Sequence, residues 1–535
     1  MTFVITSGCC NDTSCIPVCP VQCIRPRPGD PDFSTTEQLY IDPATCIDCG
    51  ACMDECPVSA IHTEWDLPEH LDDYLGINAA YFETNPISES SPPDPIRRRL
   101  PADRGRLSVA IVGSGPAGCY AAAELSEIEG VSVSVFERLP TPFGLVRTGV
   151  APDHGNTKLI AKRFGSVLNR PNVRCFFNVE VGVHVSLPEL LEHHHAVVWS
   201  GGASNDRRLG IPGEDLPGCV SARELVAWYN GHPDFGERRF NLDGPTAVVI
   251  GNGNVAFDVA RILAQPAASH QSTDMAEHAI EALSRSTISD VIVTGRRGPE
   301  FAAYTTGELS GLHHTENVAL VARPEEVASV SASTDRRGLI LADAAARHRA
   351  EGERSITLRY DLRPESINGD GAVESVSFRR PDDTIETIEA PLVVRAIGYR
   401  GMPVEGLPFN ERSGTLQHLA GSVCDPETDE SVVGVYCTGW IKRGANGMIG
   451  TNKVDSAETV DSILHDFGAG RLPNPAHDGE QLEKLIRTRQ PDLVDKEGWT
   501  RIDQTERSLG RKSGRPRQKL VLVQDLVAAS HPRDT

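Results

Sequence analysis

Residues Leu107 to Leu125 read L-S-V-A-I-V-G-S-G-P-A-G-C-Y-A-A-A-E-L, and the fold follows from how that stretch has to run. A buried-strand pattern, Val109 to Val112, enters a turn with Gly113, Gly115 and Gly118 in the G-x-G-x-x-G spacing and leaves through an alanine-rich helix. The glycines permit a tight turn, the close approach of a pyrophosphate and helix-on-strand packing, while the helix N-terminus offers unpaired N–H groups to an anion. Nineteen residues beyond Gly118, Glu137 closes a second strand, Val131 to Phe136, and puts a carboxylate where a ribose 2′-hydroxyl would sit. An acid there disfavours a 2′-phosphate, so this first site suits FAD or NAD.

The pattern returns at Thr246 to Ala260, T-A-V-V-I-G-N-G-N-V-A-F-D-V-A. Gly251, Asn252, Gly253, Asn254 and Val255 form its turn, and Ala256 takes the third glycine's place, a variant the fingerprint permits. Here the second strand, Asp290 to Thr294, ends in Gly295-Arg296-Arg297. Two guanidiniums in the acid's position grip a 2′-phosphate, which selects NADP over NAD. Short alternating strands over 355–395 and a return near Arg395 to Gly398 make this second domain an insertion in the first. The segment G-W-I-K-R-G-A-N-G-M-I-G-T-N, Gly439 to Asn452, then closes the first site. Its helix, starting near Gly450 or Thr451, points a positive dipole end at the flavin's pyrimidine side, where negative charge gathers on reduction. Trp440 is a candidate to stack on a flavin or nicotinamide ring.

Nine of the 14 cysteines lie within residues 1–56. No basic start and apolar centre of a signal peptide precedes them, so a cytoplasmic metal module is expected rather than a disulfide scaffold. Cys46, Cys49, Cys52 and Cys56-Pro57 spell C-x2-C-x2-C-x3-C-P, the iron–sulfur run whose fourth cysteine ligates the other cluster of a pair. The same frame read back from Cys19-Pro20 gives Cys9, Asp12 where a cysteine would fall, Cys15 and Cys19. Crossing the fourth cysteines yields one complete set, Cys19, Cys46, Cys49 and Cys52, for a 4Fe-4S cluster. The other set, Cys9, Cys15 and Cys56, suits either a 3Fe-4S cluster or a 4Fe-4S cluster whose labile iron takes Asp12 or water. Cys10 and Cys23 are neighbouring thiols that blur the count. Residues 1–65 carry nine acids against two arginines, an acidic face suited to docking on a basic reductase surface.

The expected layout is therefore an α+β cluster module at 1–65 and a linker at 66–106, followed by an α/β flavoprotein with two dinucleotide-binding domains. The first of these spans 107–240 and 396–470, and the insertion spans 241–395. A C-terminal extension at 471–535 contains a basic run, Arg511 to Lys519, with no readable role. Within 66–106 the aromatics before residue 84 can still pack on a domain, and Thr84 to Arg106 is the tether proper. His193, His194 and His195 are expected on an exposed turn. A net charge of −22 argues against nucleic acid, and no apolar run is long enough for membrane insertion.

The order of first fingerprint, inserted domain and G-W-x-K-R-G-x-x-G-x-I-G-T-N resembles the adrenodoxin-reductase-like ferredoxin–NADP reductases over 107 to about 470. V-C-P-V-Q-C-I at Val18 to Ile24 and I-D-C-G-A-C at Ile47 to Cys52 resemble a seven-iron ferredoxin, so the whole chain looks like the mycobacterial type of ferredoxin/ferredoxin–NADP reductase fusion. The resemblance implies FAD contacts from Ala117, Glu137, Leu145, Val181, Trp440, Gly447, Met448 and Ile449. It implies NADP contacts from Arg207, Gly251 to Val255, Arg296, Arg297, Glu308 and Gly447, with His154 shaping the flavin site. His154, Glu308 and Trp440 are thus the candidate catalytic residues. A second acid that relatives carry three residues past Glu308 is Gly311 here. The expected activity passes a hydride from NADPH to flavin, then single electrons to the clusters, with a separate ferredoxin or a haem oxygenase downstream. A flavin mono-oxygenase and a glutamate-synthase-type subunit are the rivals; a disulfide reductase would need a C-x-x-C beyond Cys56, and there is none.

Overall fold

The structure, a computed structural model, describes residues 2–87, 98–331, 335–428 and 430–532. Two parallel sheets form its frame. The first has seven strands in the order His418–Leu419, Ser422–Cys424, Ser431–Cys437, Ala196–Trp199, Leu107–Val112, Val131–Glu137 and Val173–Phe177, the last five parallel. Val109, Ala110 and Ile111 are fully buried at its centre, as continuous apolar runs must be in a sheet covered on both faces. The second sheet has six parallel strands in the order Cys219–Ser221, Leu392–Arg395, Thr246–Ile250, Asp290–Thr294, Arg354–Arg359 and Val318–Ala322. A three-stranded antiparallel sheet, Arg363–Asn368, Ser375–Arg379 and Ile385–Glu389, lies beside it in sequence.

The insertion begins earlier than residue 241. Cys219–Ser221 pairs in parallel with Leu392–Arg395, so that strand and the following helix Ala222–Tyr229 go with the second sheet. The chain crosses between domains where Asn205–Asp206 pairs with Tyr399–Arg400.

The linker is also shorter than expected. Asp73–Thr84 is a helix that belongs to the cluster module. Its buried Asn78 donates to Ile5 O (2.8 Å) and accepts from Ile5 N (3.2 Å) and Ile41 N (3.0 Å), while Tyr81 stacks on Tyr40. Asp73 at its start bonds Ser310 and Arg336 of the inserted domain, and Tyr74 packs against Gly307. Arg98 is already held on the first domain by Glu124 and Asp461. Most of the remaining tether, 88–97, lies outside the described residues.

The C-terminal extension is part of the first domain's core. Leu482, Ile486 and Leu493 pack with Val112, Phe136 and Phe176, and Phe177 exchanges two backbone hydrogen bonds with Val494. The basic run supplies buried cations. Glu506, fully buried, accepts from Arg147 and from Arg517 (2.9 Å). Lys519, equally buried, pairs with Asp274 at 3.0 Å. Burial raises the cost of charging Glu506, yet the two guanidiniums win and hold its carboxyl below the usual range. The histidine triplet is likewise buried, not exposed: His193 bonds Asp478 O, His194 bonds Leu190 O and His195 bonds the Ser108 backbone and hydroxyl. Among the described residues no helix is long and apolar enough to cross a membrane.

Two outcomes follow for stability. Glu506→Ala leaves Arg147 without its buried counter-charge and Arg517 with Asp503 alone, and is expected to lower unfolding free energy by about 3–5 kcal/mol in urea denaturation. Burial holds His194 at about 4, below its unfolded value of 6.5. The unfolded chain therefore takes up the proton first, and stability measured against pH should fall as pH drops from about 6.5 toward 4.

Candidate functional site

At the first turn Gly113 has φ +103°, and a Cβ on Gly118 would stand 2.0 Å from Gly113 O. A Cβ on Gly115 would meet nothing within 4 Å, so the turn is open on that side. Gly115 caps the helix Pro116–Ser126 without any side-chain bond, leaving the first N–H groups to an incoming anion. Glu137 is fixed beside this turn by Ser114 N (3.0 Å), Ser114 Oγ (2.8 Å) and Leu139 N (3.1 Å). The C-terminal motif closes onto the same helix, because a Cβ on Gly439 would come 2.5 Å from Ala117 Cβ. Asp455 holds that motif in place through Lys442 (2.9 Å) and Arg443 (2.8 Å). Asn452 donates to Met448 O and Ile449 O, and Trp440 Nε1 donates to Asn446 O, one residue before Gly447. Leu145 is exposed on the short helix Leu145–Thr148, and Val181 packs near Val112 and Phe136.

The second turn repeats the geometry. Gly251 has φ +117°, and its missing Cβ would stand 2.2 Å from Ala396 O. Gly253 caps Asn254–Ala264, again with no side-chain bond. Asn252 lies against Gly295, and Val255 packs on the inserted domain's core. Arg296 and Arg297 follow as exposed residues, Arg297 lying 5.0 Å over the Phe301 ring. Arg207, exposed at the interdomain crossing, donates its N–H to Gly398 O.

Between the domains lies a network that the sequence only half revealed. Asn254 accepts from Thr305 N (2.9 Å) and so ties the second turn to the helix Thr306–His313, which carries Glu308. Ligating atoms of His154, Asp258 and Glu308 lie within 4.8 Å of one another. Arg261 reaches all three, bonding His154 Nε2 (3.0 Å) and Asp258 (2.6 Å) and approaching Glu308 (4.0 Å), and it also pairs with Asp153 (2.7 Å). Burial raises the Glu308 pKa against the pull of His154. Asn254, Asp258 and Arg261 have the i, i+4, i+7 spacing of one helix face, the signal that could have found them. Gly311 has open space where a Cβ would go; the second carboxylate of this site is Asp258, not a residue of that helix. Trp440 stacks on Tyr399, centroids 5.7 Å apart, so its partner within the chain is an aromatic at the domain crossing.

The cluster module contains two hollows. One is lined by Cys19, Cys23, Cys46, Cys49 and Cys52. The other is lined by Cys9, Cys10, Cys15 and Cys56 together with Asp12. The fourth cysteine of each frame thus falls in the other frame's hollow. Cys23 lies 3.4 Å from Cys19, sulfur to sulfur. Asp12 is bonded outward, to Tyr120 (2.8 Å) and Arg163 (2.7 Å) of the first domain. The helix Thr451–Gly468 starts where expected, but the N–H of its cap, Gly450, is taken by Cys10 O at 2.6 Å. No sequence signal announced Tyr120 or Arg163, whose partner is more than a hundred residues away in the chain.

Comparison with known proteins matches this layout. Residues 111–178 fit the NAD(P)-binding Rossmann-like domain family and residues 39–62 the 4Fe-4S binding domain family. A probable ferredoxin/ferredoxin–NADP reductase of Mycobacterium leprae is 44% identical over 99% of this chain and 98% of its own length. The mitochondrial NADPH:adrenodoxin oxidoreductase of Arabidopsis thaliana is 38% identical over 79% of this chain and 95% of its own length. The solved structure of Mycobacterium tuberculosis FprA in complex with NADPH superposes with a TM-score of 0.74 at 40% identity, covering 79% of this chain and 99% of FprA. Rossmann-type reductase and N-terminal cluster module stand in one polypeptide, matched end to end, and the chain belongs to the ferredoxin/ferredoxin–NADP reductase family.

Proposed function

We propose that the chain takes hydride from NADPH at the second turn, onto FAD held at the first, and passes electrons on to ferredoxin-type clusters. The observation that carries this reading is the opposite dressing of two otherwise matching glycine turns: Glu137 stands at the first, and Arg296 with Arg297 at the second. When bound, FAD accepts an electron pair and releases it singly, which iron–sulfur centres can take up one at a time.

The chain's own residues bind and orient. The open turn and uncapped helix at Gly115 take the FAD pyrophosphate, with Glu137 toward its ribose; Ala117, Leu145, Val181, Trp440 and Gly447 to Ile449 complete that site. Gly251 to Val255 take the NADP pyrophosphate, and Arg296, Arg297 and Arg207 take its phosphate-bearing end. His154 and Glu308, held by Arg261 and Asp258, set the field where the two rings meet. We assign Cys19, Cys46, Cys49 and Cys52 to a 4Fe-4S cluster. For Cys9, Cys15 and Cys56 we favour a 3Fe-4S cluster, because both Asp12 oxygens are engaged elsewhere. A separate ferredoxin is the onward acceptor we propose; a haem oxygenase beyond it rests on the resemblance alone. A reducing cytoplasm is the setting we propose, since the cysteines assigned to clusters must stay available as thiolates.

Mixing the anaerobic holoenzyme with NADPH should bleach the flavin band and then the clusters; an unchanged flavin band would defeat the reading, and NADPH consumption needing oxygen plus an organic substrate would favour a mono-oxygenase. Replacing either Arg296 or Arg297 singly by Ala removes a charge-assisted bond worth about 1.5–3 kcal/mol. KM for NADPH should then rise by about 10- to 100-fold while KM for NADH hardly moves. Cys10→Ser should leave about seven irons per chain and the same low-temperature EPR signals, whereas loss of iron would make Cys10 a ligand.

A further inference from the structure

Among the described residues, the hydrogen bonds from the module to the flavin-side domain come from one end, Cys10 to Ser14. Cys10 O accepts from Gly450 N, and a Cβ on Gly450 would stand 1.8 Å from Asn11 O, so backbone lies directly on backbone. Lys453, one turn into the helix Thr451–Gly468, donates to Asp12 O (3.1 Å) and Thr13 Oγ1 (3.2 Å). The Asp12 carboxylate is buried between Tyr120 OH and the Arg163 guanidinium, and Ser14 also bonds it. The apolar core is continuous across the contact, for Cys9, Cys10 and Cys15 share it with Tyr120, Phe164 and Ile449. All these contacts come from the loop that forms the three-cysteine hollow. The four-cysteine hollow is turned the other way in one respect that matters: its Cys49 is exposed. The run of acids expected to dock the module plays no such part at Asp54 and Glu55, which are exposed.

Asp12 occupies a ligand's place in the cysteine frame, yet its oxygens are spent across the domain boundary. We infer that Asp12 is a positioning residue that locks the three-cysteine end of the module onto the flavin-side domain, making that end the electron entrance and the four-cysteine end the exit. The inference rests on the reductase reading above. Each hydride brings two electrons; they cross the contact in two single transfers, the proton is released to solvent, and NADP+ leaves. A buried carboxylate stripped of its partner is strongly unfavourable, so reversing the charge at Arg163 should lift this end off while leaving every cysteine and the nucleotide turns untouched.

The test uses full-length holoenzyme carrying Arg163→Asp, Arg163→Lys, Asp12→Asn and Asp12→Ala. Anaerobic stopped-flow with NADPH reads flavin bleaching and cluster bleaching separately, and iron content and EPR are recorded before mixing. The expected result is that Arg163→Asp bleaches flavin at the wild-type rate but slows cluster reduction at least tenfold, with Arg163→Lys largely restoring it. Asp12→Asn and Asp12→Ala should slow cluster reduction in the same way, with iron content and EPR line shape unchanged. Unaltered cluster reduction in Arg163→Asp overturns the inference. So does loss of iron or a new EPR signal in Asp12→Ala, since Asp12 would then be a ligand. If the wild type itself fails to bleach flavin with NADPH, the fault lies with the reductase reading instead.

Discussion

Backbone approaching backbone, closer than any side chain would allow, is the constraint on which the rest of this molecule depends. It occurs at Gly118 against Gly113 O in the first turn and at Gly251 against Ala396 O in the second. It recurs at Gly450 against Asn11, where the cluster module lands, and Gly439 comes as close to the Ala117 methyl, where the C-terminal motif closes on the first helix. Each contact brings a helix start to a surface that another group has to satisfy. At the turns that group is the pyrophosphate assigned above, and at Gly450 it is a carbonyl of the chain itself. The same device therefore builds both nucleotide sites and the junction between flavin and clusters.

Around these contacts charges are buried together, and Arg261 with Asp153 and Lys519 with Asp274 meet across the boundary between the two domains. Arg261 gathers Asp153, Asp258 and Glu308, Glu506 gathers Arg147 and Arg517, and Lys519 meets Asp274. Such pairs contribute little net energy against an apolar replacement, because desolvation consumes most of the Coulombic gain. Their value is in registration, since a misplaced domain would leave several ions buried and alone. Burial outweighs the nearby cations and holds the Glu308 pKa above the ordinary carboxylate value.

Local pattern made the nucleotide turns and the cysteine frames legible. Strand, glycine spacing and helix follow one another within twenty residues, and their chemistry needs no distant partner. A relative 44% identical over 99% of the chain agrees with the family that these patterns pointed to. What stayed illegible depends on partners far along the chain. Arg515, Arg517 and Lys519 stand in a basic run that had no readable role, and only the folded chain sets them against Glu277, Glu506 and Asp274. His193 to His195 looked like a polar turn because adjacent imidazoles cannot share one face, yet each finds a separate backbone or hydroxyl partner. Asp12 read as a degenerate ligand since the frame predicts its place and not the direction its carboxylate takes.

The helix Asp73–Thr84 also ties the module to the nucleotide-carrying insertion, through Asp73 with Ser310 and Arg336 and through Tyr74 against Gly307. The module is thus fastened on both sides of the cleft, at Asp12 and at Asp73. Any swing of the insertion about its crossing strands, Asn205–Asp206 and Tyr399–Arg400, would have to snap the Asp73 bonds or drag the module along. As long as the Asp73 bonds hold, the insertion and the cluster module are one load path, and the seat of the electron entrance is braced from the coenzyme's side as well as the flavin's.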